Sequence, residues 1–157
     1  MIKVLLAGSY DPITNGPADL VRRCASLFDE VHAVVFVNAE KNCRFTLEQR
    51  KEMLRLAFLD LDNVRVDAYE GMTVEYAREH DIKLLIRGVR GVEDVEYEMT
   101  MANNNRTYAP EITTMFLPAE KSLSGVSSHA VRKMLERGES IRGCVPAPVA
   151  EYIEKML

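Results

Sequence analysis

The sequence predicts a doubly wound α/β fold, in which one five-stranded parallel sheet carries helices on both faces. Two observations predict it. Apolar runs of strand length alternate with stretches of helical period along all 157 residues, and such alternation requires parallel pairing with helical crossovers. The chain is also 47% apolar and 28% charged, without an internal repeat or linker, which predicts a single domain over residues 1–157.

Five segments have the composition of β-strands. Residues 4–7 form a continuous apolar run that ends at Gly8, and residues 31–37 are rich in β-branched side chains, so both strands are predicted to be buried. The alternating pattern over residues 63–69 predicts a half-exposed strand at a sheet edge. Residues 83–86 and 112–117 complete the set.

Helical periods separate these runs. Residues 16–28 repeat apolar side chains at helical spacing. Thr46 and Gln49 form a capping-box pattern, which predicts a helix from Thr46 to about residue 59. Gly138 stops a helix predicted over residues 126–136. Further helices are predicted over residues 73–79, 93–106 and 148–157. Together with the five strands, these helices predict a Rossmann-like fold.

The composition excludes several classes of protein. A net charge of −4 gives no general attraction to nucleic acid or anionic lipid, so neither is expected as a partner, and any phosphate site must be a local cluster of positive charge. No CxxC pair occurs and the histidines are isolated, so reduced thiols are expected and a protein-built metal site is not. Without a signal peptide or an apolar run of about 20 residues, the expected location is the cytoplasm.

In doubly wound sheets, ligands bind beyond the carboxyl ends of the strands. After the first strand, Gly8 allows a tight turn and Ser9 offers a hydroxyl group and an N–H. The helix that follows directs its free N–H groups at this turn, which suits a phosphate group. A simple strand-to-helix connection accounts for the turn equally well. The GxxxxGK[ST] and GxGxxG phosphate-binding patterns are both absent.

Three further strand ends carry cations or hydroxyl groups. Lys41 follows the second strand, where a solvated loop lysine is the ordinary alternative. Arg87 and Arg90 follow the fourth strand and could grip phosphate oxygens in bidentate fashion, or could instead pair with Glu93 and Asp94. Serines over residues 122–128 follow the fifth strand as helix caps or anion donors. Because all these groups belong to one sheet edge, the pattern predicts a polyphosphate site.

The same residues resemble a known family. Five segments are similar to the bacterial phosphopantetheine adenylyltransferase family, in order and with its spacing: GSYDPITNG near the start, FTLEQR at 45–50, IRGVRGVEDVEYE at 86–98, NNR at 104–106 and SS at 127–128. The resemblance implies adenylyl transfer from ATP to 4′-phosphopantetheine, giving dephospho-coenzyme A and pyrophosphate in coenzyme A biosynthesis. It also implies Mg²⁺ carried with ATP rather than on protein ligands, coenzyme A as an inhibitor, and a homohexamer.

The resemblance assigns the site residues. Lys41 is implied to neutralise charge between the acceptor phosphate and the α-phosphate of ATP, and Arg90 is the second catalytic cation. The acceptor is expected to contact Ser9, Lys41, Thr73 and Arg87. ATP is expected to contact Ser9, Tyr10, Pro17, Gly88, Val89, Arg90, Glu98, Leu123, Ser124, Gly125, Val126, Ser127, Ser128 and His129.

Two positions depart from the family pattern. Pro17 stands where the family has a histidine that donates to the ATP phosphates in the transition state, and proline offers no donor. Loss of one such donor typically costs about 2.7–4 kcal/mol. His129 stands where the family usually has serine or threonine. One hypothesis is that His129 approaches the triphosphate and partly replaces the missing imidazole; the alternative is an exposed residue in the first turn of a helix.

Three functions therefore remain open at this stage. The leading prediction is a phosphopantetheine adenylyltransferase with a rate reduced by Pro17. The second is the same fold acting on another phosphorylated acceptor, such as a nicotinamide or glycerol phosphate. The third is a non-catalytic protein that binds ATP or coenzyme A, which Pro17 favours. Met99, Met101 and Tyr108 are candidate contact residues in an oligomer.

Overall fold

The computed structural model describes residues 1–37, 42–123 and 125–157. Strands and helices alternate along the chain as predicted. The strands are β1 (Lys3–Gly8), β2 (Glu30–Phe36), β3 (Val64–Tyr69), β4 (Leu84–Val89) and β5 (Thr113–Pro118). The helices are α1 (Asn15–Leu27), α2 (Leu47–Ala57), α3 (Thr73–Glu79), α4 (Val92–Tyr108), α5 (Ser128–Glu136) and α6 (Ala147–Glu154), with a short 3₁₀ turn at Lys121–Leu123.

The five strands form one parallel sheet in the order β3-β2-β1-β4-β5. The predicted Rossmann-like fold class is therefore confirmed, as is the edge position of β3. The strand order reverses at β1, which pairs with β2 on one side and β4 on the other. Ligand sites in such sheets lie at this reversal, so the turn after β1 is the expected ligand site.

Helices cover both faces of the sheet because alternate strand residues point to opposite sides. On one face, Val4 and Leu6 of β1 pack with apolar residues of α1, α2, α5 and α6. On the other face, Leu5 packs with α3 and with Ala109 and Ile112, which follow α4. Within helix α4, only Glu98 has less than a tenth of its surface exposed. The helix therefore lies over the sheet with much of its side-chain surface exposed.

Several predicted boundaries differ from the observed ones; helix α6, for example, ends at Glu154 and not at residue 157. Two of the differences lie beside the site. β4 does not end at residue 86 but continues to Val89, because its last residues pair with β5 through Phe116 and Pro118. Arg87, Gly88 and Val89 thus lie within the strand and not in the loop after it. Helix α5 begins at Ser128, two residues later than predicted, since the Ser127 side chain accepts a hydrogen bond from Ala130 N and caps the helix.

The capping box at the start of α2 is confirmed. Gln49 N donates to Thr46 Oγ1 at 3.1 Å, and Thr46 N donates to Gln49 Oε1 at 2.9 Å. This reciprocal pair fixes where α2 begins. It therefore also fixes the segment just before α2, which contributes to the site.

Candidate active site

The turn after β1 is built around Tyr10. Tyr10 has a positive φ of 46°, which is uncommon for a residue with a side chain. Its hydroxyl group donates to Leu6 O at 3.1 Å, and its ring covers Gly8 so closely that a Cβ there would lie 3.1 Å from the ring. Gly8 is thus needed for close approach. Burial raises the pKa of the Tyr10 phenol, so the hydroxyl remains a donor at neutral pH.

Asp11 ties three distant segments together at this turn. Its side chain is buried, and its two carboxylate oxygens accept hydrogen bonds from Arg44 N and Phe45 N, both at 2.9 Å. Arg132 of α5 donates to the Asp11 carbonyl oxygen at 2.8 Å and lies 3.8 Å from its carboxylate. No pattern in the local sequence indicated this role for Asp11. A buried aspartate here is what holds the segment before α2 and the start of α5 against the turn.

The N-terminus of α1 faces the same region. Gly16 lies so close to the 3₁₀ turn that a Cβ on it would be 3.3 Å from Leu123 O. Asn15 is anchored from the other side, because its N–H donates to Cys144 O at 3.0 Å and its side chain donates to Gly143 O at 2.8 Å. Pro17 is exposed in the first turn of α1, where the backbone N–H groups lack intrahelical partners. The fold therefore accepts proline at this position.

Arg87 is held by three hydrogen bonds at the carboxyl end of β4. Its Nε and Nη2 donate to the two carboxylate oxygens of Glu98 at 2.8 and 2.9 Å, and its Nη1 donates to Ala7 O at 3.0 Å. Glu98 is only 6% exposed. The hydrogen bond that Arg87 donates to Glu98 raises the pKa of Arg87, which keeps the guanidinium charged. Of its five N–H groups, one on each terminal nitrogen remains without a partner among the described residues.

This arginine forms part of the wall of a cavity of about 100 Å³ between the sheet and α4. Thr73, Arg87, Glu98 and Asn105 contribute polar groups to it. The remaining lining is Leu5, Ala7, Leu85, Ile86, Tyr97, Met101, Ala102 and Thr114. The lining thus combines a charged group with apolar side chains, as ligand sites commonly do. Two predicted acceptor residues, Thr73 and Arg87, thus line the same cavity.

The two arginines of the RGVR segment differ in their partners. Arg90 is exposed, and its backbone N and its Nε both donate to one oxygen of Asp94, at 2.9 and 3.2 Å. The alternative of pairing with nearby acids is therefore correct for Arg90. It is wrong for Arg87, whose partner is Glu98 and not Glu93 or Asp94.

Serines at the start of α5 contact the opening turn. Ser128 Oγ donates to Pro12 O at 2.7 Å, while Ser127 caps the helix. Ser9 accepts at its carbonyl oxygen from Arg50 Nη1 at 3.0 Å. Arg87 and Ser128 thus both contact the short stretch from Ala7 to Pro12, as the prediction of one shared edge requires.

The other predicted ATP contacts are distributed around this edge. Leu123 ends the 3₁₀ turn, Gly125 is exposed, and Val126 packs against the core. His129 is exposed in the first turn of α5. Lys41 and Ser124 lie outside the described residues, so their predicted roles remain predictions.

A second cavity was not foreseen from the sequence. It has a volume of about 320 Å³ and lies between the segment before α2 and the outer side of α5. We call it the basic pocket; its lining residues are Asn42, Cys43, Arg44, His129, Arg132, Lys133 and Glu136. It was not predictable from local patterns, because more than eighty residues separate its two walls.

Two further observations concern the described part of the chain. It contains no group of three or more histidine, cysteine, aspartate or glutamate side chains placed to hold a metal ion. Within the same residues, every helix is too short or too polar to traverse a lipid bilayer.

The fold is that of a doubly wound α/β protein with a candidate phosphate site at the carboxyl edge of its parallel sheet. Residues 5–134 match the cytidylyltransferase-like family. The phosphopantetheine adenylyltransferase of Desulforudis audaxviator is 48% identical over 146 residues, which cover 93% of this chain and 90% of the relative. The chain therefore belongs to the cytidylyltransferase-like family and, within it, to the phosphopantetheine adenylyltransferases.

Other relatives agree with this assignment over nearly their whole length. The phosphopantetheine adenylyltransferase of Dictyoglomus turgidum is 41% identical over 153 residues, covering 98% of this chain and 96% of the relative. That of Bdellovibrio bacteriovorus is 39% identical over 150 residues, covering 96% and 94%. The resemblance inferred from the motifs is thereby confirmed.

Proposed function

We propose that the chain transfers the adenylyl group of ATP to 4′-phosphopantetheine, producing dephospho-coenzyme A and pyrophosphate in coenzyme A biosynthesis. A phosphate oxygen of the acceptor forms a bond to the α-phosphorus, and the bond from that phosphorus to the bridging oxygen breaks. The electron pair leaves with pyrophosphate, so no covalent intermediate with the protein is needed. Catalysis then consists of positioning and of stabilising charge.

The observation that carries this proposal is the Arg87 guanidinium, fixed by Glu98 and Ala7 at the wall of the cavity. Its two remaining N–H groups provide a bidentate site for the acceptor phosphate. The apolar wall and the Asn105 amide provide a surface for the pantetheine arm, which carries amide groups on a flexible chain. Nicotinamide and glycerol phosphates lack such an arm, which disfavours them as acceptors.

On the nucleotide side, the proposal relies on groups around the opening turn. The N-terminal turns of α1 and α5 face that turn from two elements, and helix N-termini favour phosphate. Lys41 and Arg90 are proposed as the cations that neutralise charge on the reacting phosphates. Mg²⁺ is proposed to enter as part of the nucleotide substrate, bound to the phosphates of ATP.

The direct test is a coupled pyrophosphate-release assay with ATP and 4′-phosphopantetheine. We expect release that requires both substrates and fails with nicotinamide mononucleotide or glycerol phosphate as acceptor. Release with either of those acceptors at a comparable rate would favour the second enzyme function. No release with any acceptor would reject the enzyme.

One observation favours a non-catalytic alternative. Pro17 offers neither an N–H nor a side-chain donor at the exposed start of α1. A protein of this kind would bind ATP or coenzyme A and act as a sensor. Calorimetry with ATP and with 4′-phosphopantetheine separates the two functions, because binding without turnover identifies the sensor.

We also propose that the protein works as a homohexamer in the cytoplasm and is inhibited by coenzyme A. Exposed apolar side chains support assembly: Met99, Met101 and Tyr108 of α4 are 45%, 41% and 62% exposed. Coenzyme A contains both the adenosine and the pantetheine parts of the product, so it fits the same site. Light scattering tests the assembly, and inhibition that is competitive with 4′-phosphopantetheine tests the regulation.

A further inference from the structure

We infer that Arg50 of α2 is a positioning residue for the transfer reaction, which it serves by orienting the peptide group between Ser9 and Tyr10. This inference rests on the proposed function, because that function brings the phosphates of ATP to the turn after β1. It extends the proposal to a side chain that was not predicted to contact either substrate. In this role Arg50 acts through a backbone donor and not on the reacting atoms.

Arg50 carries a buried charge. The residue is only 6% exposed, and its guanidinium is held by two backbone carbonyl groups. Its Nε donates to Phe45 O at 3.1 Å, and its Nη1 donates to Ser9 O at 3.0 Å. Among the described residues, no carboxylate forms an ion pair with Arg50. A buried charge without an opposite charge beside it is costly, so the packing of α2 alone does not account for arginine at this position.

The peptide group that Arg50 holds carries a free donor on its other side. The Ser9 carbonyl and the Tyr10 N–H belong to one trans peptide, so they point in opposite directions. Because Arg50 holds the carbonyl, the N–H of Tyr10 is directed away from the guanidinium. This N–H is not a donor in any hydrogen bond within the described part of the chain. It is therefore available to a phosphate oxygen at the turn.

Tyr10 needs such support because of its backbone conformation. Its φ of 46° lies in the left-handed region, which a residue with a side chain seldom adopts and keeps only where its surroundings hold it. Two contacts hold it here: the Tyr10 hydroxyl group donates to Leu6 O, and Arg50 donates to the carbonyl of the preceding residue. Without the second contact, the peptide group can rotate, and its N–H loses the fixed direction.

The charge of Arg50 also strengthens the donor. A hydrogen bond to a carbonyl oxygen polarises the whole peptide group, so the N–H of the same group becomes a better donor. Negative charge on the departing phosphates increases as the bond to the α-phosphorus breaks. A donor that is already oriented and polarised then stabilises the transition state more than the bound substrate. Arg50 is therefore expected to affect kcat more than it affects the KM for ATP.

The kinetic test compares variants of Arg50 with one of Arg55, which lies on the same helix, is 53% exposed and pairs with Glu52. Arg50→Met keeps a long unbranched stem but removes the charge and both hydrogen bonds. In the pyrophosphate-release assay we expect it to lower kcat about tenfold, as the loss of one hydrogen bond to a charged group does, with a smaller change in the KM for ATP. Arg55→Met is the matched control and should leave both parameters unchanged.

Arg50→Lys separates positioning from the stability of the fold. Lysine retains the charge but carries its donors on a single nitrogen, so it cannot reproduce the spacing of Nε and Nη1. It is expected to recover part of the rate that Arg50→Met loses. Melting temperatures verify that each variant is folded at the assay temperature. Wild-type kcat in folded Arg50→Met, or in folded Arg50→Lys if the methionine variant does not fold, would overturn the inference.

The second test observes the Tyr10 amide directly. The chain contains six tyrosines, so tyrosine labelled at its nitrogen gives six backbone amide resonances, and Tyr10→Phe identifies the one from residue 10. Saturating Mg-ATP without an acceptor is expected to move the Tyr10 amide proton of the wild-type protein downfield. The movement should be smaller in the Arg50 variants, whereas the resonance of Tyr152 in α6 should stay in place in all of them. A general loss of stability does not select one amide.

The inference and the proposed function fail in different ways. If the wild-type protein turns over, and both Arg50 variants match it in kcat and in the movement of the Tyr10 resonance, the inference is wrong and the transferase stands. If the wild-type protein binds Mg-ATP without turnover, the transferase is rejected. A smaller movement of the Tyr10 resonance in the Arg50 variants would then still support the orientation of this donor by Arg50, and an unchanged movement would reject that as well.

Discussion

Arg87 and Glu98 form an ion pair in which the two partners differ in their surroundings. The Glu98 side chain is 8% exposed, whereas that of Arg87 is 40% exposed. The buried carboxylate therefore acts as a fixed support, and the arginine presents its outer edge to the cavity. Glu98 was predicted as an ATP contact; its position against Arg87 instead favours a positioning role on the acceptor side.

Glu98→Gln is expected to raise KM for 4′-phosphopantetheine about tenfold and to leave KM for ATP nearly unchanged. Glutamine has only one acceptor oxygen, so it holds one of the two guanidinium nitrogens and leaves the other without its partner. A tenfold rise in KM corresponds in free energy to the loss of one charge-assisted hydrogen bond. Steady-state kinetics with each substrate varied in turn provides the measurement.

Glu93→Gln is the control for this change, since Glu93 is exposed in the first turn of α4. It is expected to alter neither KM. Equal rises in both KM values for Glu98→Gln would instead indicate a general structural effect, and a selective rise in KM for ATP would restore the original prediction of an ATP contact.

Pro17→His is expected to raise kcat about a hundredfold, because it adds one donor aimed at the developing charge. Position 17 is exposed and near the start of α1, so the change should affect folding little. The rate of pyrophosphate release at saturating substrates provides the measurement. If kcat stays at the wild-type value, the proline is not what limits the rate.

His129→Ala tests whether the neighbouring helix compensates for Pro17. The imidazole lines the basic pocket. Its removal is expected to lower kcat several-fold, which corresponds to a rise of about 1 kcal/mol in the activation free energy. In the Pro17→His background the same substitution should have a smaller effect. Wild-type turnover in the single variant His129→Ala would exclude compensation.

At the residue scale, the sequence predicted those residues whose roles follow from their position in the sequence alone. Arg87 lies in a recognisable motif and Thr73 was assigned through the family resemblance; both line the cavity. It did not predict Asp11 or Arg44, because their roles depend on contacts between segments that are 33 residues apart. A buried carboxylate that accepts two backbone N–H groups has no local pattern of its own.

At the scale of elements, a polar network links β2 to α3. His32 of β2 is buried, with its Nδ1 at 2.9 Å from Tyr76 Oη of α3 and its Nε2 at 2.8 Å from Glu30 Oε2. Tyr76 Oη also donates to Asp67 of β3 at 3.4 Å. This network holds α3 on the sheet, and Thr73 at the start of α3 lines the acceptor cavity.

The network predicts how stability depends on pH. The hydrogen bond from His32 lowers the pKa of Glu30 below its ordinary value of 4.5, with smaller contributions from Arg65 and Lys3. The unfolded chain therefore takes up a proton at Glu30 at a higher pH than the folded chain does. The resulting stability is complete above the unfolded pKa and is lost as the pH falls through the folded pKa.

Glu30→Gln is accordingly expected to flatten the loss of stability as the pH falls below the ordinary pKa of a glutamate. Urea unfolding of the variant and the wild-type protein at several pH values provides the measurement. Glu139→Gln, at an exposed position outside the network, serves as the control. Parallel pH curves for Glu30→Gln and the wild-type protein would show that Glu30 does not contribute.

The boundaries of elements were predictable only where the signal is local. The Thr46–Gln49 box lies within four consecutive residues and fixed the start of α2 correctly. The end of β4 depends on pairing with β5, where Val89 lies opposite Pro118. The composition of the RGV segment suggested a loop, because glycine and charged side chains are depleted in isolated strands.

At the scale of the molecule, the C-terminal helix completes the core. Val149, Ala150 and Ile153 of α6 are each fully buried in the cluster that includes Met53 and Leu54 of α2. Helix α6 thus holds α2, whose start fixes one wall of the basic pocket.

Ile153→Ala is expected to lower the free energy of unfolding by about 2–5 kcal/mol, because it leaves a cavity in this cluster. For a domain of this size, each kcal/mol lowers the melting temperature by roughly 2–4 °C. Calorimetric melting provides the measurement, with Leu157→Ala as the control at a position that is 76% exposed. A fall no larger than that of the control would show that α6 packs less tightly than described.

The fold class was the most predictable property of all. Alternation of strands and helices allows only parallel pairing, and this required no knowledge of contacts. The strand order β3-β2-β1-β4-β5 was not derivable, since it depends on which side of β1 each crossover takes. The shared edge of the sheet was predictable from the fold class. The basic pocket was not, because it depends on the order of the elements around it.

The hydrogen bonds that hold Asn15 have a consequence for biosynthesis. Two carbonyl groups, those of Gly143 and Cys144, hold the beginning of α1. A growing polypeptide on the ribosome reaches them only after all five strands of the sheet have been made. Nascent chains that stop before residue 143 should therefore pack apolar residues around β1. They would lack the hydrogen bonds that position the start of α1 for phosphate binding. Ligand recognition would then be acquired only after the strands of the sheet have been synthesised.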